Sequence, residues 1–191
     1  YGWNCSQYTT PFGTACFRDS ATLTVESIRP ELEMTLTNPT FNTFPLCTNI
    51  PYHTAKVFNA ELGLARALKL EAILPQGLSI VSGSCQLSFP DGTAFVNIPD
   101  PTNTQGNIWE WDISSLNATL LANGLLGVND YPDNTFNVRF NLIADCDYIA
   151  GSYVVLRARG DNNCNAPINQ VSRATNRINI SGAVAAYNSL I

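Results

Sequence analysis

Six cysteines, at positions 5, 16, 47, 85, 146 and 164, are the first residues in this sequence whose type and spacing could do chemistry. Their number is even and their spacing wide. No C-x-x-C pair occurs, which argues against a zinc ribbon or a thioredoxin-type redox pair. The only histidine, His53, is too few for a Cys2His2 metal site. Three disulfides in an oxidising, extracellular setting are the economical reading. Six cysteines allow 15 pairings. The two sequence-local pairs, Cys5–Cys16 and Cys146–Cys164, are the expected ones, leaving Cys47–Cys85. In the chain-entropy view a loop the size of 146–164 contributes roughly 3 kcal/mol.

The other candidates are weaker. His53 lies in Ile50-Pro51-Tyr52-His53-Thr54 with no nucleophile motif near it, and no Gly-x-Ser-x-Gly is present. Glu110 and Asp112 share one face of an alternating segment, roughly 6–7 Å apart, a spacing that two-carboxylate glycoside hydrolysis could use. A solvated strand face is the simpler account of the pair. Hard oxygen ligands cluster at Asp130 and Asp133, at Asp145 and Asp147, and at Asp161. Calcium, which takes six to eight oxygens, is therefore the inorganic candidate, although no stretch matches an EF-hand and turns favour Asp and Asn anyway. Trp3 and Trp109 could offer flat apolar faces to a sugar ring. Trp109 and Trp111 point to one side of their strand, however, and in a sandwich that side can be core.

Composition excludes several partners. Of 191 residues only 13 % are charged, there are two lysines, Lys56 and Lys69, and the formal net charge is −5. Nucleic acid needs clustered Lys and Arg, and an anionic membrane surface needs a basic patch. Nothing approaches 18 consecutive apolar residues, so no membrane-spanning helix is expected. The 21 Asn and 17 Thr supply the polar surface instead. Hydrophobic residues make up 45 %, enough for a folded core. The opening Tyr-Gly-Trp-Asn-Cys lacks both an initiator Met and the features of a signal peptide, so a piece of a longer chain, or a matured one, is expected.

The elements that must position these residues read as short strands. Leu32, Met34 and Leu36 alternate with polar neighbours, as do Trp109, Trp111 and Ile113, and most cleanly Phe136, Val138, Phe140 and Leu142. Leu78–Val81, Tyr153–Ala158 and Arg177–Ile180 are further strands, and Gln86–Phe89 with Phe95–Ile98 reads as a hairpin around Pro90-Asp91-Gly92. Ser114 is a candidate N-cap for one short helix near 114–123, ended by Asn123-Gly124. The stretch Glu61–Leu74 fits helix and strand alike. Turn signals every 8–15 residues between short strands mean an all-β sandwich.

Phe58-Asn59, Gly63, Ala65 and Ala67, then Leu74-Pro75-Gln76-Gly77-Leu78 and Val81-Ser82-Gly83-Ser84, resemble the Ig-like repeat of bacterial surface proteins. Trp109-x-Trp111-Asp112-Ile113, Gly124-Leu125, Asn134–Phe140 and Cys146-Asp147…Gly151 are similar to the long multi-repeat adhesins of Bacteroidetes, including gliding-motility adhesins and type IX secretion cargo. The resemblance covers roughly residues 1–183. It implies an Ig-like β-sandwich module, non-catalytic, on the cell surface, with Glu61–Leu74 as strand and Pro75-Gln76-Gly77 as a turn between adjacent strands. It implies neighbouring modules of the same chain as partners, with surface polysaccharide a further one. The expected organisation is a disulfide-stapled strap at 1–30, the sandwich at 31–183, and a linker or the start of another module at 184–191. A carbohydrate-binding, lectin-like module is the rival reading.

Overall fold

The computed structural model describes residues 28–181, together with the backbone of two short strands before them. In chain order the strands are β1 (Thr9–Thr10), β2 (Gly13–Thr14), β3 (Leu32–Thr37), β4 (Thr43–Pro45), β5 (Asn49–Asn59), β6 (Ala65–Ile73), β7 (Leu78–Ile80) and β8 (Gln86–Ser88). They continue with β9 (Val96–Asn97), β10 (Thr102–Gln105), β11 (Ile108–Asp112), β12 (Thr135–Ala144), β13 (Val155–Asn162), β14 (Val171–Ala174) and β15 (Asn179–Ser181). One sheet runs β3-β5-β12-β8-β9, with β7 pairing the far end of β12; the other runs β10-β11-β6-β13-β14. Strands β1 and β2 pair antiparallel with each other, and β4 pairs in parallel with β15. Both large sheets are antiparallel, and the result is the two-layer all-β sandwich that the strand rhythm predicts.

Period-two alternation explains the core. Along β12, Phe136, Val138, Phe140, Leu142 and Ala144 all point inward and are fully buried, while Arg139 and Asn141 face out. From the opposite sheet Leu68, Leu70 and Ala72 of β6, Leu156 and Ala158 of β13, and Trp111 of β11 meet them. Trp111 lies 5.4 Å from the Phe140 ring, and His53 of β5 stacks on the same ring at 6.2 Å. The ring stack therefore crosses the layer between sheets.

Three expectations change. The single helix near 114–123 is two short ones, α1 (Ile113–Leu116) and α2 (Ala118–Asn123). Asp112 caps the first and Asn117 the second, its side-chain oxygen accepting from the amides of Thr119 and Leu120. Ser114 is not a cap; its hydroxyl is buried and accepts from the Leu68 amide at 2.8 Å. The ambiguous stretch does form a strand, β6, over the shorter range 65–73. The Pro75-Gln76-Gly77 turn does not join neighbours in one sheet; it carries the chain from β6 across to β7 in the other. Gly77 has φ +75, and a Cβ there would lie 2.2 Å from the Tyr148 amide nitrogen, so only glycine fits.

The sandwich has two poles about 30 Å apart along the ten residues of β12. Asn59 marks the entry pole. Its side chain bonds Glu31, Gly63 and Leu126 and so gathers the chain before β3 with the loops that follow β5 and α2. The exit pole holds the turn after β4, Gly77, Tyr148 and Ile178, with the Tyr148 hydroxyl donating to the Ile178 carbonyl at 2.8 Å. Residue 28 therefore lies at one pole and residue 181 at the other.

Candidate functional site

The candidate catalytic carboxylate Glu110 is locked into an ion-pair lattice on the outer face of its sheet. Register sets Glu110 of β11 opposite Glu71 of β6, and Glu71 opposite Arg157 of β13. Two like charges side by side would repel. Arg159 spans them, pairing with Glu71 at 3.1 Å and with Glu110; Lys69 holds Glu110 at 2.7 Å and Arg157 holds Glu71 at 2.7 Å. Burial pushes the Glu110 carboxyl up, but Lys69 and Arg159 outweigh it and keep it below the usual carboxylate range. A general acid needs the reverse, a carboxyl held protonated. Asp112 is occupied as the α1 cap.

His53 is no better placed for proton transfer. It is 3 % exposed, its Nδ1 has no partner, and burial lowers its pKa to about 4 against a small opposing effect from Pro51. The imidazole is a neutral core ring. Trp109, the proposed sugar platform, is half-buried and packs against the core beside Trp111. Trp3, its companion, lies outside the described residues.

The calcium ligands are not gathered either. Asp130 and Asp133 lie before β12 at the entry pole, and Asp145 and Asp147 beyond its other end. Asp161 is on β13 in the opposite sheet. About 30 Å of strand separates the first two from the next two, which no single ion bridges. Among the described residues no three His, Cys, Asp or Glu side chains come together as a metal site. Local turn bonds use some of them: the Asp145 side chain accepts from the Asp147 amide at 2.8 Å, and the Asp133 amide donates to the Asp130 carbonyl.

The four described cysteines carry free thiols, so the pairs Cys47–Cys85 and Cys146–Cys164 are not formed. Geometry explains both corrections. Extending the β8 register puts Cys85 opposite Phe140, whereas the Cys47 amide bonds the Ala144 carbonyl. Four residues of β12, about 13 Å, lie between them, well past the roughly 7 Å limit for bridged α-carbons. Cys146 sits near the start of β13 and Cys164 beyond its end, some 25 Å of strand apart. Cys85 is wholly buried, and burial, reinforced by Asp100, pushes its thiol up to about 12. The third expected pair, Cys5–Cys16, lies outside the described residues.

What the fold does bring together is β3 and β4 with β14 and β15. β14 packs against β3, and the segment after β14 is stitched to the loop after β3. The Asn176 amide donates to the Asn38 side chain at 3.0 Å, and the Asn179 amide to the Asn42 carbonyl at 2.7 Å. β15 then pairs with β4 over Asn179–Thr43, Ile180–Phe44 and Ser181–Pro45. Phe44 and Ile178 are buried beneath this seam. β3 and β14 both run from the entry pole to the exit pole. Tension applied at the two poles would pull β3 backward and β14–β15 forward, shearing the seam along its length. None of these partners is legible in the sequence, because Asn38, Asn42 and Asn176 lie in loops and carry no periodic signal.

Lys56 forms a second tether. It reaches Asp91 at 2.6 Å, and the Asn137 side chain donates to the same carboxylate at 2.8 Å. The hairpin tip between β8 and β9 is thereby pinned to β5 and β12. Among the described residues no helix is long and apolar enough to cross a membrane.

No family model and no curated protein sequence matches the chain. Solved structures show a distant likeness. The full-length major pilin SpaD from Corynebacterium diphtheriae aligns with 78 % of this chain and 34 % of its own length, at 14 % identity and TM-score 0.48. BcpA, the major pilin subunit of Bacillus cereus, aligns with 94 % of this chain and 47 % of its own, at 12 % identity and TM-score 0.45. A DUF4466 family protein from Parabacteroides merdae aligns over 78 % and 44 %, at 10 % identity and TM-score 0.40. The chain spans less than half the length of each of these three proteins.

Proposed function

We propose that this chain is a non-catalytic structural module of an extracellular surface filament or adhesin, and that it works by carrying tension between its two poles. The supporting observation is the seam: residue 28 lies at one pole and residue 181 at the other, and the β3–β4 segment is tied directly to the β14–β15 segment. Load entering along β3 meets the β3–β5 ladder, and past the end of that strand it meets the Asn38–Asn176 bond and the β4–β15 ladder. Bonds lying across the pull direction share the load, whereas bonds peeled from one end break singly. In-line poles also suit modules strung end to end, with neighbouring modules of the same chain as partners. The groups that could have supported catalysis are otherwise engaged: Glu110 in ion pairs, His53 in the core and Cys85 as a buried thiol.

Single-molecule pulling on the full chain through its two ends tests the reading. Removing the Asn38 side chain (Asn38→Ala) takes one exposed bond from the seam, so equilibrium stability changes by less than about 1 kcal/mol. The rupture force is expected to fall clearly. An unchanged rupture force in Asn38→Ala, with β15 also weakened by Ile180→Gly, would remove the load-bearing reading.

A further inference from the structure

We infer that Cys47 and Cys146 are a redox pair that closes into a disulfide at the exit pole. The two residues occupy adjacent exposed turns. β5 and β12 meet at Asn49–Ile143 as the last rung of their ladder, and Cys47 lies two residues before it and Cys146 three after. The Cys47 amide donates to the Ala144 carbonyl at 2.9 Å, which ties the Cys47 turn to the strand end from which the Cys146 turn leaves. Both thiols are free and exposed, unlike Cys85. The adjustment needed to bring the two α-carbons into the roughly 4.4–6.8 Å range falls in turn residues, not in the ladder. Cys47 also stands at φ 56, a left-handed conformation that a β-carbon disfavours and that Gly or Asn would adopt more cheaply. A bridge would tie the corner between β4 and β5 to the end of the central strand β12. The inference is independent of the load-bearing reading, since its test is purely chemical.

The oxidant is a low-molecular-weight disulfide. One cysteine thiolate attacks a sulfur of that disulfide; its S–S bond breaks and one small thiolate leaves. The second cysteine thiolate then attacks the protein sulfur of the mixed disulfide and expels the other small thiolate. The two cysteines lose two electrons, which end on the two small thiols, together with their two protons.

The test is native-state equilibration of the full chain with glutathione disulfide, acid quenching, alkylation and non-reducing tryptic mapping. Cleavage after Arg18, Lys56, Lys69, Arg139, Arg157, Arg159 and Arg173 puts Cys47, Cys85, Cys146 and Cys164 in four different peptides, with Cys5 and Cys16 together in a fifth. The expected product joins peptide 19–56 to peptide 140–157 and weighs about 2 Da less than the sum of the two. Cys47→Ser should leave Cys146 as a mixed disulfide with glutathione, and Cys146→Ser should do the same to Cys47. Cys47 or Cys146 joined to any other cysteine, or both held only as mixed disulfides in the wild type, overturns the inference. The wild-type map decides this even where a serine variant folds poorly.

Discussion

Acid should unfold this protein through one residue before its carboxylates take part. His53 is the only histidine, and its ring sits 3 % exposed against Phe140 with Nδ1 unpartnered. Its pKa in the folded state is about 4, against 6.5 in the unfolded chain. The folded state therefore favours the neutral ring, while the unfolded state takes up the proton first. Stability is full above pH 6.5 and falls as the pH drops from there toward 4. Each pH unit in that window costs about 1.4 kcal/mol, and between pH 7.5 and 5.0 the loss sums to about 2 kcal/mol. The lowered carboxyls of Asp91, Asp100 and Glu110 work in the same direction but at lower pH, because their unfolded-state values lie at 3.8 to 4.5. At pH 5.0 their combined contribution is only a few tenths of a kcal/mol.

The assay is urea unfolding at pH 7.5 and 5.0 for the wild type and for His53→Phe, which keeps an aromatic ring against Phe140. The wild type should lose about 2 kcal/mol between the two conditions and the variant only the few tenths due to carboxylates. The slope of free energy on urea should stay the same, showing that the shift is in stability and not in the compactness of either state. If His53→Phe loses as much as the wild type, the acid sensitivity lies elsewhere and the account of a neutral core histidine is wrong.

Three further outcomes follow from single sites. Gly77→Ala should destabilise by about 2 kcal/mol or more in chemical denaturation, because φ +75 and a backbone contact at 2.2 Å leave the new methyl no room. Maleimide applied to the native protein should label Cys47, Cys146 and Cys164 and spare Cys85, whose thiol is pushed up to about 12; labelling of Cys85 without denaturant would contradict its burial. Glu110→Gln should cost no more than about 1 kcal/mol, and less at high salt, since Lys69 and Arg159 are both partly exposed; a larger, salt-independent loss would mean the lattice acts as a buried unit.

How much of this was legible depends on whether a residue's partner is local. β12 could be read from Phe136, Val138, Phe140 and Leu142, because nothing interrupts their alternation. β5, its long neighbour, could not. Its register against β12 shifts between Phe140 and Leu142, so Ile50 and His53 both point inward three residues apart, and Pro51 sits in the irregular stretch. A bulge of this kind erases the period-two signal that marks a strand. β6 was ambiguous for a related reason: Ala67, at φ 47, breaks its pattern between Ala65 and Leu68. The helix near 114–123 was placed correctly but counted as one, since nothing distinguishes Asn117 as a second cap until its side chain is seen to accept from Thr119 and Leu120. Trp109 shows the converse: alternation placed it with Trp111 on one face, and only the second sheet makes that face the core.

The seam was invisible for a stricter reason, and that reason bears on the proposed load-bearing role. Asn38 and Asn176 are 138 residues apart, and each is an ordinary loop asparagine in its own neighbourhood. The contact exists only because β3 and β14 run in the same direction past one another. Because β15 runs parallel to β4, a pull on the two poles would act along the paired strands, so that the Asn38–Asn176 bond, the Asn179–Asn42 bond and the β4–β15 rungs would be loaded at once. On the proposed load-bearing reading, it is the shared direction of β3 and β14 that would place these bonds in shear.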